Sequence, residues 1–208
     1  MTMVKEGYWY GLPLVLTSGG LLGFRLYWLG AFFLILALLV LNFFRDPDRK
    51  ITSETGAMVS PADGRVVQIA DEEYAGRAVK RVSIFMSPLD VHVNRSPIPG
   101  AITDLRYKQG AFHVASLEKA SIENEQNIFT VVGDEGTVVV KQIAGLLARR
   151  IVFWKRLGDQ VGRGQRVGLI KFGSRVDVLV EPGVEIRVKV GDHIRAGSDI
   201  LGYIRPKG

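Results

Sequence analysis

A mainly β protein is the fold class that the sequence predicts: a β-sandwich or barrel-sandwich-like domain with one or two short helices, preceded by a hydrophobic membrane helix or hairpin. Three observations carry that expectation. Charge is scarce in the first 44 residues, short apolar runs punctuated by Gly and Pro fill the remainder, and one turn–strand–turn–strand pattern occurs twice near the C-terminus. The expected division is an anchor over residues 1–50 and a domain over residues 51–208.

The anchor rests on two uncharged runs. Leu26 to Phe44 holds 19 residues without a charge. As a helix it would extend roughly 28 Å, about one bilayer core. Tyr8 to Phe24 is a second uncharged run of 17 residues, interrupted by Pro13, Gly19, Gly20 and Gly23. Arg25 separates the two. No small-residue cleavage site follows Phe44, which argues against a cleaved secretory signal. The basic residues of Arg45-Asp-Pro-Asp-Arg-Lys50 favour the cytoplasmic side. One spanning helix and a hydrophobic hairpin with both ends cytoplasmic both satisfy this pattern.

Strand-like runs follow in order: Arg65–Ile69, Val79–Phe85, Ile128–Val132, Gly136–Lys141 and Val176–Val180. Ala115 to Asn127 is the clearest helical candidate, and Gln142 to Arg150 suits a strand or a short helix. The repeat pairs Gly158-Asp-Gln-Val-Gly-Arg-Gly164 with Gly191-Asp-His-Ile-Arg-Ala-Gly197; Val167-Gly-Leu-Ile170 and Leu201-Gly-Tyr-Ile204 follow the respective units. Each unit reads as turn, short strand, Gly turn, short strand, and the glycines supply the positive φ of tight hairpins. The pattern is similar to the hairpins of lipoyl-type domains, although neither unit carries a lysine at a modification turn.

Composition narrows the chemistry. The 208 residues contain no cysteine, which excludes a disulfide framework, cysteine-ligated metal and a cysteine nucleophile. No metal site is expected. Three histidines leave few candidates for proton transfer at neutral pH.

Four stretches carry candidate chemistry. Ser60-Pro-Ala-Asp-Gly-Arg65 has the form of a turn around Asp63. In Met86-Ser-Pro-Leu-Asp-Val-His-Val-Asn-Arg-Ser-Pro97, strand alternation puts Asp90, His92 and Asn94 on one face. Ser121-Ile-Glu-Asn-Glu-Gln-Asn127 is rich in carboxamides, and Ile170-Lys-Phe-Gly-Ser-Arg-Val-Asp177 puts Gly173-Ser174 between two strand-like runs. Each alone has a plain structural reading as a turn, a strand or a solvated helix end.

Together they resemble the short, membrane-bound form of the phosphatidylserine decarboxylase proenzyme family. The resemblance runs along nearly the whole chain: Phe43-Phe-Arg-Asp-Pro47, Ser60-Pro-Ala-Asp-Gly64, Asp90-Val-His-Val-Asn-Arg95, Lys119-Ala-Ser121 with Glu123-Asn-Glu125, Ala148-Arg-Arg-Ile151 and Phe172-Gly-Ser-Arg-Val-Asp177, in that order. It implies self-cleavage between Gly173 and Ser174 into chains 1–173 and 174–208. Ser174 then becomes a covalent pyruvoyl cofactor, and Asp63 and His92 are the assisting pair. It also implies conversion of phosphatidylserine to phosphatidylethanolamine, with the small chain staying with the large one, and it admits a homo-oligomer. Longer relatives carry Leu-Gly-Ser-Thr at the cut and a second histidine three residues after the first; here those positions are Phe172-Gly-Ser-Arg175 and Arg95. Gln126 stands where the family usually has Arg.

The implied chemistry has a physical logic. Amino-acid decarboxylation needs an electron sink that no ordinary side chain supplies. Ser174 Oγ would attack the Gly173 carbonyl with His92 as base. Asp63 would hold the imidazole tautomer, as in a Ser–His–Asp unit. Gly173 would permit close approach at the turn. His92 would also return a proton to the substrate α-carbon. His113 and His193 are the weaker candidates, His193 as a solvated turn residue.

Residues 149–175 hold eight Lys and Arg against the single acid Asp159. With Phe153 and Trp154 among them, an anionic membrane surface is the expected partner. Nucleic acid is not expected, because no reading motif accompanies the charge. Two other classes stay in view: a membrane-tethered, non-enzymatic β-sandwich that binds or scaffolds a partner, and a serine hydrolase built on the same three residues. The hydrolase lacks a Gly-x-Ser-x-Gly elbow around Ser174.

Overall fold

Apolar alternation becomes strand pairing in the computed structural model, which describes residues 2–110, 124–145, 150–171 and 173–204. The chain divides into two units, Met1–Asp48 and Arg49–Gly208.

The first unit holds β1 (Thr2–Met3), α1 (Lys5–Gly23), α2 (Tyr27–Phe43) and β2 (Arg45–Asp46). The two helices pack as an antiparallel hairpin whose ends are tied by the β1–β2 pair. Arg25 makes the turn at φ 64°. Close packing is set by small residues: a Cβ on Gly11 would lie 2.3 Å from Leu41 Cδ2, and Ser18 Oγ donates to Gly30 O at 2.8 Å. Large apolar side chains point outward, Trp9 at 80% and Trp28 at 92% exposure.

Of the two expected arrangements, the single spanning helix is corrected. No helix among the described residues is long and apolar enough to cross a membrane. The uncharged run loses its ends to the turn and to the chain leading into β2, so α2 keeps 17 residues, about 25 Å, short of a bilayer core. At 19 residues α1 is longer, but Lys5, Glu6 and several glycines dilute it. The hairpin is the arrangement adopted.

The second unit begins with β3 (Ala57–Val59), β4 (Gly64–Tyr74), β5 (Arg77–Met86), β6 (Val93–Arg95) and β7 (Gly100–Lys108). It continues with β8 (Gln126–Gly133), β9 (Gly136–Ala144), β10 (Ile151–Phe153), β11 (Gln160–Val161) and β12 (Arg166–Ile170). Then come β13 (Ser174–Val180), β14 (Glu185–Ile186), β15 (His193–Ile194) and β16 (Ile200–Tyr203). A curled eight-stranded sheet runs β11-β7-β8-β9-β13-β5-β4-β15, with three-stranded sheets β10-β12-β6 and β14-β16-β3. One core draws on all three sheets, including Met58, Val66, Ile84, Phe129, Val140, Val167, Val176 and Leu201.

All five expected strands form, each longer than the run that signals it. The helix expected at Ala115–Asn127 lies mostly outside the described residues, and its last two residues belong to β8. Residues 146–149 of the Gln142–Arg150 segment also lie outside them; its start completes β9.

The repeat is real, but its units are not hairpins. In each unit the two strands pair elsewhere: β11 with β7 and β12 with β6, β15 with β4 and β16 with β3. The repeat thus supplies both edges of the large sheet and a strand of each small one. Its Gly turns meet across Arg95. A Cβ on Gly197 would lie 2.9 Å from Arg95 Cδ and 3.6 Å from Gly164 Cα. Arg95 Nη1 donates to Gly164 O at 3.0 Å. The residue that replaces a second histidine therefore knits two turns together.

Candidate active site

Ser174 opens β13, which lies between β9 and β5 and is buried at every residue. Alternation along this strand sends Ser174, Val176 and Val178 to the apolar core. Arg175 and Asp177 go to the opposite face. That face is charged yet closed. Arg175, 1% exposed, donates from Nε to Asp177 Oδ1 at 2.6 Å and from Nη2 to Ser83 Oγ at 2.6 Å. Arg81 faces Asp177 at 3.5 Å and Glu72 at 2.8 Å. Arg163, also from the basic stretch, is paired with Glu135. The stretch is thus not one exposed strip.

Gly173 has φ 66°, in the left-handed region, and a Cβ there would meet nothing within 4 Å. Glycine is required by conformation at this turn, not by crowding. Gly145 N–H donates to Gly173 O at 3.1 Å.

On the core side, Ser174 faces Met86 and Ala144 across the two neighbouring strands. Its Oγ–H points to Met86 Sδ at 3.3 Å. The same sulfur takes a contact from Asn94 Nδ2 at 3.7 Å. Asn94 Oδ1 accepts from Gln142 Nε2 at 2.8 Å, and Gln142 Oε1 accepts from Asn127 Nδ2 at 2.8 Å. This carboxamide chain is buried throughout. Buried amides persist only when hydrogen-bonded, so the chain locks its members' orientations.

His92 lies just before β6 and is buried. Its Nδ1 is 2.9 Å from Asp90 O. A carbonyl only accepts, so Nδ1 carries the hydrogen, and in the neutral ring Nε2 carries the lone pair. The main chain therefore sets the tautomer, in place of the Asp63 carboxylate expected to do so. Ile170 N–H donates to His92 O at 3.4 Å. That places His92 beside the segment leading into Ser174, while Asn94 touches the sulfur that receives Ser174's hydroxyl.

Asp63 sits elsewhere in the same neighbourhood. Its carboxylate accepts from Arg49 Nη2 at 2.7 and 3.0 Å and from Ala196 N–H at 2.8 Å. Burial pushes its carboxyl above the ordinary value; the Ala196 amide and Arg49 pull it down, and the Asp90 carboxylate adds to the rise. Its turn supplies Pro61 O, which accepts from Arg95 N–H at 2.9 Å and from Asn94 Nδ2 at 3.5 Å. The turn that carries Asp63 thus supports β6, the strand that follows His92, through the Pro61 carbonyl.

His193, expected as a solvated turn residue, is exposed but lies in β15, with Nε2 3.2 Å from Asp90 Oδ1. His113 lies outside the described residues. Among those residues no cluster of potential ligands could hold a metal ion.

Sequence reasoning missed Met86, Gly145, Gln142 and Arg49. A signal existed for Gln142. It interrupts the apolar face Val138, Val140, Ala144, just as Asn127 interrupts Phe129 and Val131, and register pairs the two interruptions.

A glycine-serine turn here feeds a strand that is buried at every residue, with a histidine of fixed tautomer nearby, in a mainly β domain. Comparison with known proteins gives the family. The family model for phosphatidylserine decarboxylase matches residues 36–202. The chain is 52% identical over 206 residues to a phosphatidylserine decarboxylase proenzyme of Solibacter usitatus, covering 97% of this chain and 96% of that one. It is 47% identical over 174 residues to the proenzyme of Nitrosomonas eutropha, with 82% and 81% covered. It is 46% identical over 185 residues to that of Burkholderia pseudomallei, with 88% and 84% covered. This chain belongs to the phosphatidylserine decarboxylase family. It is a decarboxylase.

Proposed function

We propose that this decarboxylase matures by cutting itself between Gly173 and Ser174 and then converts phosphatidylserine to phosphatidylethanolamine. One observation carries the reading: Gly173 at φ 66° delivers Ser174 into the central buried strand, with Oγ held at Met86 Sδ.

In maturation, Ser174 Oγ attacks the Gly173 carbonyl carbon while His92 Nε2 takes the hydroxyl proton. The carbon–nitrogen bond breaks and the proton passes to nitrogen, leaving an ester. Loss of the Ser174 α-proton expels Gly173 as a carboxylate and leaves dehydroalanine. Water then releases ammonia and leaves a pyruvoyl group. The residues present fit that group: Met86 and Ala144, both fully buried, wall position 174 on its two neighbouring strands. The pyruvoyl carbonyl supplies the electron sink for decarboxylation. His92 Nε2 then delivers a proton to the substrate α-carbon. Asp63 acts as a positioning residue, through Arg49 and the 60–63 turn.

A lipid substrate brings the enzyme to a membrane surface. The outward aromatic and aliphatic side chains of the hairpin suit an interfacial location. So do exposed Trp154, Arg156 and Leu157 in the β domain. Arg45 and Lys50 favour the cytoplasmic side.

Intact mass and gel analysis of the full chain test the reading. Chains 1–173 and 174–208 are expected, the latter with a blocked N-terminus, together with carbon dioxide release from phosphatidylserine vesicles. Ser174→Ala should stay uncut and inactive. An uncut 208-residue wild-type chain that still decarboxylates would overturn the proposal.

A further inference from the structure

We infer that the backbone N–H of Gly145 is a catalytic group of the self-cleavage step, stabilising the oxyanion that forms on Gly173 O. The inference rests on the maturation reading above and concerns the first bond that reaction breaks, the carbon–nitrogen bond between Gly173 and Ser174.

The geometry is specific. Register pairs Ala144 with Ser174, and the next rung directs Gly145 N–H at Gly173 O at 3.1 Å. That oxygen is the atom that gains charge. When Ser174 Oγ bonds to the Gly173 carbonyl carbon, the carbonyl π pair moves onto oxygen and the hydroxyl proton leaves to the base. When the carbon–nitrogen bond then breaks, the pair returns and nitrogen takes a proton. A donor roughly 2.7–3.1 Å from the oxygen stabilises the charged stage more than the neutral amide before it or the neutral ester after it. The donor is main chain, fixed by β9, so no reorganisation is needed as charge develops. Burial strengthens the effect, because Ser174 and Ala144 are both shut off from water.

Neighbouring rungs of β9 do different work. Ala144 N–H points the other way and donates to Glu125 O at 2.9 Å. It is a ladder bond of similar length in the same strand that touches no reacting atom. The pair therefore separates a catalytic from a structural contribution.

The experiment uses the full chain made by cell-free translation with single amide-to-ester replacements. Gly145→glycolate deletes the donor aimed at Gly173 O and weakens the Ala144 carbonyl, which accepts from Asn124 Nδ2 at 2.7 Å; Ala144→lactate deletes the neighbouring ladder donor and likewise weakens the carbonyl before it. Appearance of the 174–208 fragment is timed for both and for the unmodified chain. Cutting of the unmodified chain, absent in Ser174→Ala, establishes the maturation reading independently. Given that, Gly145→glycolate should cut about 100-fold more slowly, while Ala144→lactate stays within a few-fold of the unmodified chain. Hydroxylamine, which cleaves an ester but not an amide, should not speed appearance of the 174–208 fragment from Gly145→glycolate, because the block precedes ester formation; scission at the introduced backbone ester gives a 145–208 fragment, told apart by its mass. Equal slowing by the two replacements, failure of both to cut, near-normal cutting of Gly145→glycolate, or its rescue by hydroxylamine would each overturn the inference.

Discussion

Asp63 is the residue at which physical forces compete most openly. Its carboxyl is buried, so water no longer stabilises the charge, and that outweighs the Ala196 amide and the Arg49 guanidinium. The folded pKa lies above the ordinary 3.8. Between the two values the unfolded chain has released its proton and the folded chain retains it. Stability therefore falls as pH rises through that window and levels once the folded carboxyl is ionised. In an uncut Ser174→Ala background, urea titrations should show this decline, and Asp63→Asn should flatten it. A slope unchanged by Asp63→Asn would assign the titration to another group. Asp63 was singled out as a candidate by the Ser-Pro-Ala-Asp-Gly run, but its partner was not legible. Arg49 lies 14 positions earlier, in a segment that reads as a membrane flank.

At the scale of elements, the turn into β13 joins sequence and chemistry most directly. Glycine at position 173 permits φ 66°, and no neighbouring atom crowds it. An alanine there costs the left-handed backbone penalty alone, about 1 to 2 kcal/mol. Comparing Gly173→Ala/Ser174→Ala with Ser174→Ala by urea unfolding avoids interference from cutting. A loss near that figure is expected, and a much larger one would mean that the site is crowded after all. The strands themselves were largely readable, because alternation marks a half-buried sheet. The repeat was readable too, but not its pairing. A turn followed by a short strand looks like half a hairpin in sequence, whereas each strand here finds a partner distant in the chain.

For the whole molecule, the division between Asp48 and Arg49 yields a test. A chain lacking residues 1–48 retains the Arg49–Asp63 pair, with side chains 10% and 9% exposed. It should fold and cut itself. Removing two further residues leaves a buried carboxylate without its cation, at a cost of about 3 kcal/mol. That chain should melt lower and cut more slowly. Thermal melts of the two truncations in the Ser174→Ala background, with cutting rates in the wild-type background, read both effects. Equal behaviour would show that Arg49 contributes neither stability nor positioning.

By itself the sequence determined the mainly β class, an apolar N-terminal segment, and the motifs that single out Ser174, His92 and Asp63 as candidates. Local period, turn residues and short ordered runs carry that information without reference to distant parts of the chain. Only the tertiary structure decided which groups meet. It assigned the His92 tautomer to the Asp90 carbonyl, Asp63 to Arg49, the Ser174 hydroxyl to Met86, and the Gly173 carbonyl to Gly145. These contacts depend on strand register and loop closure across 28 to 88 positions for the pairs at Gly173 and Ser174. Pairing of that range is fixed by how the whole core packs, and no local pattern encodes it.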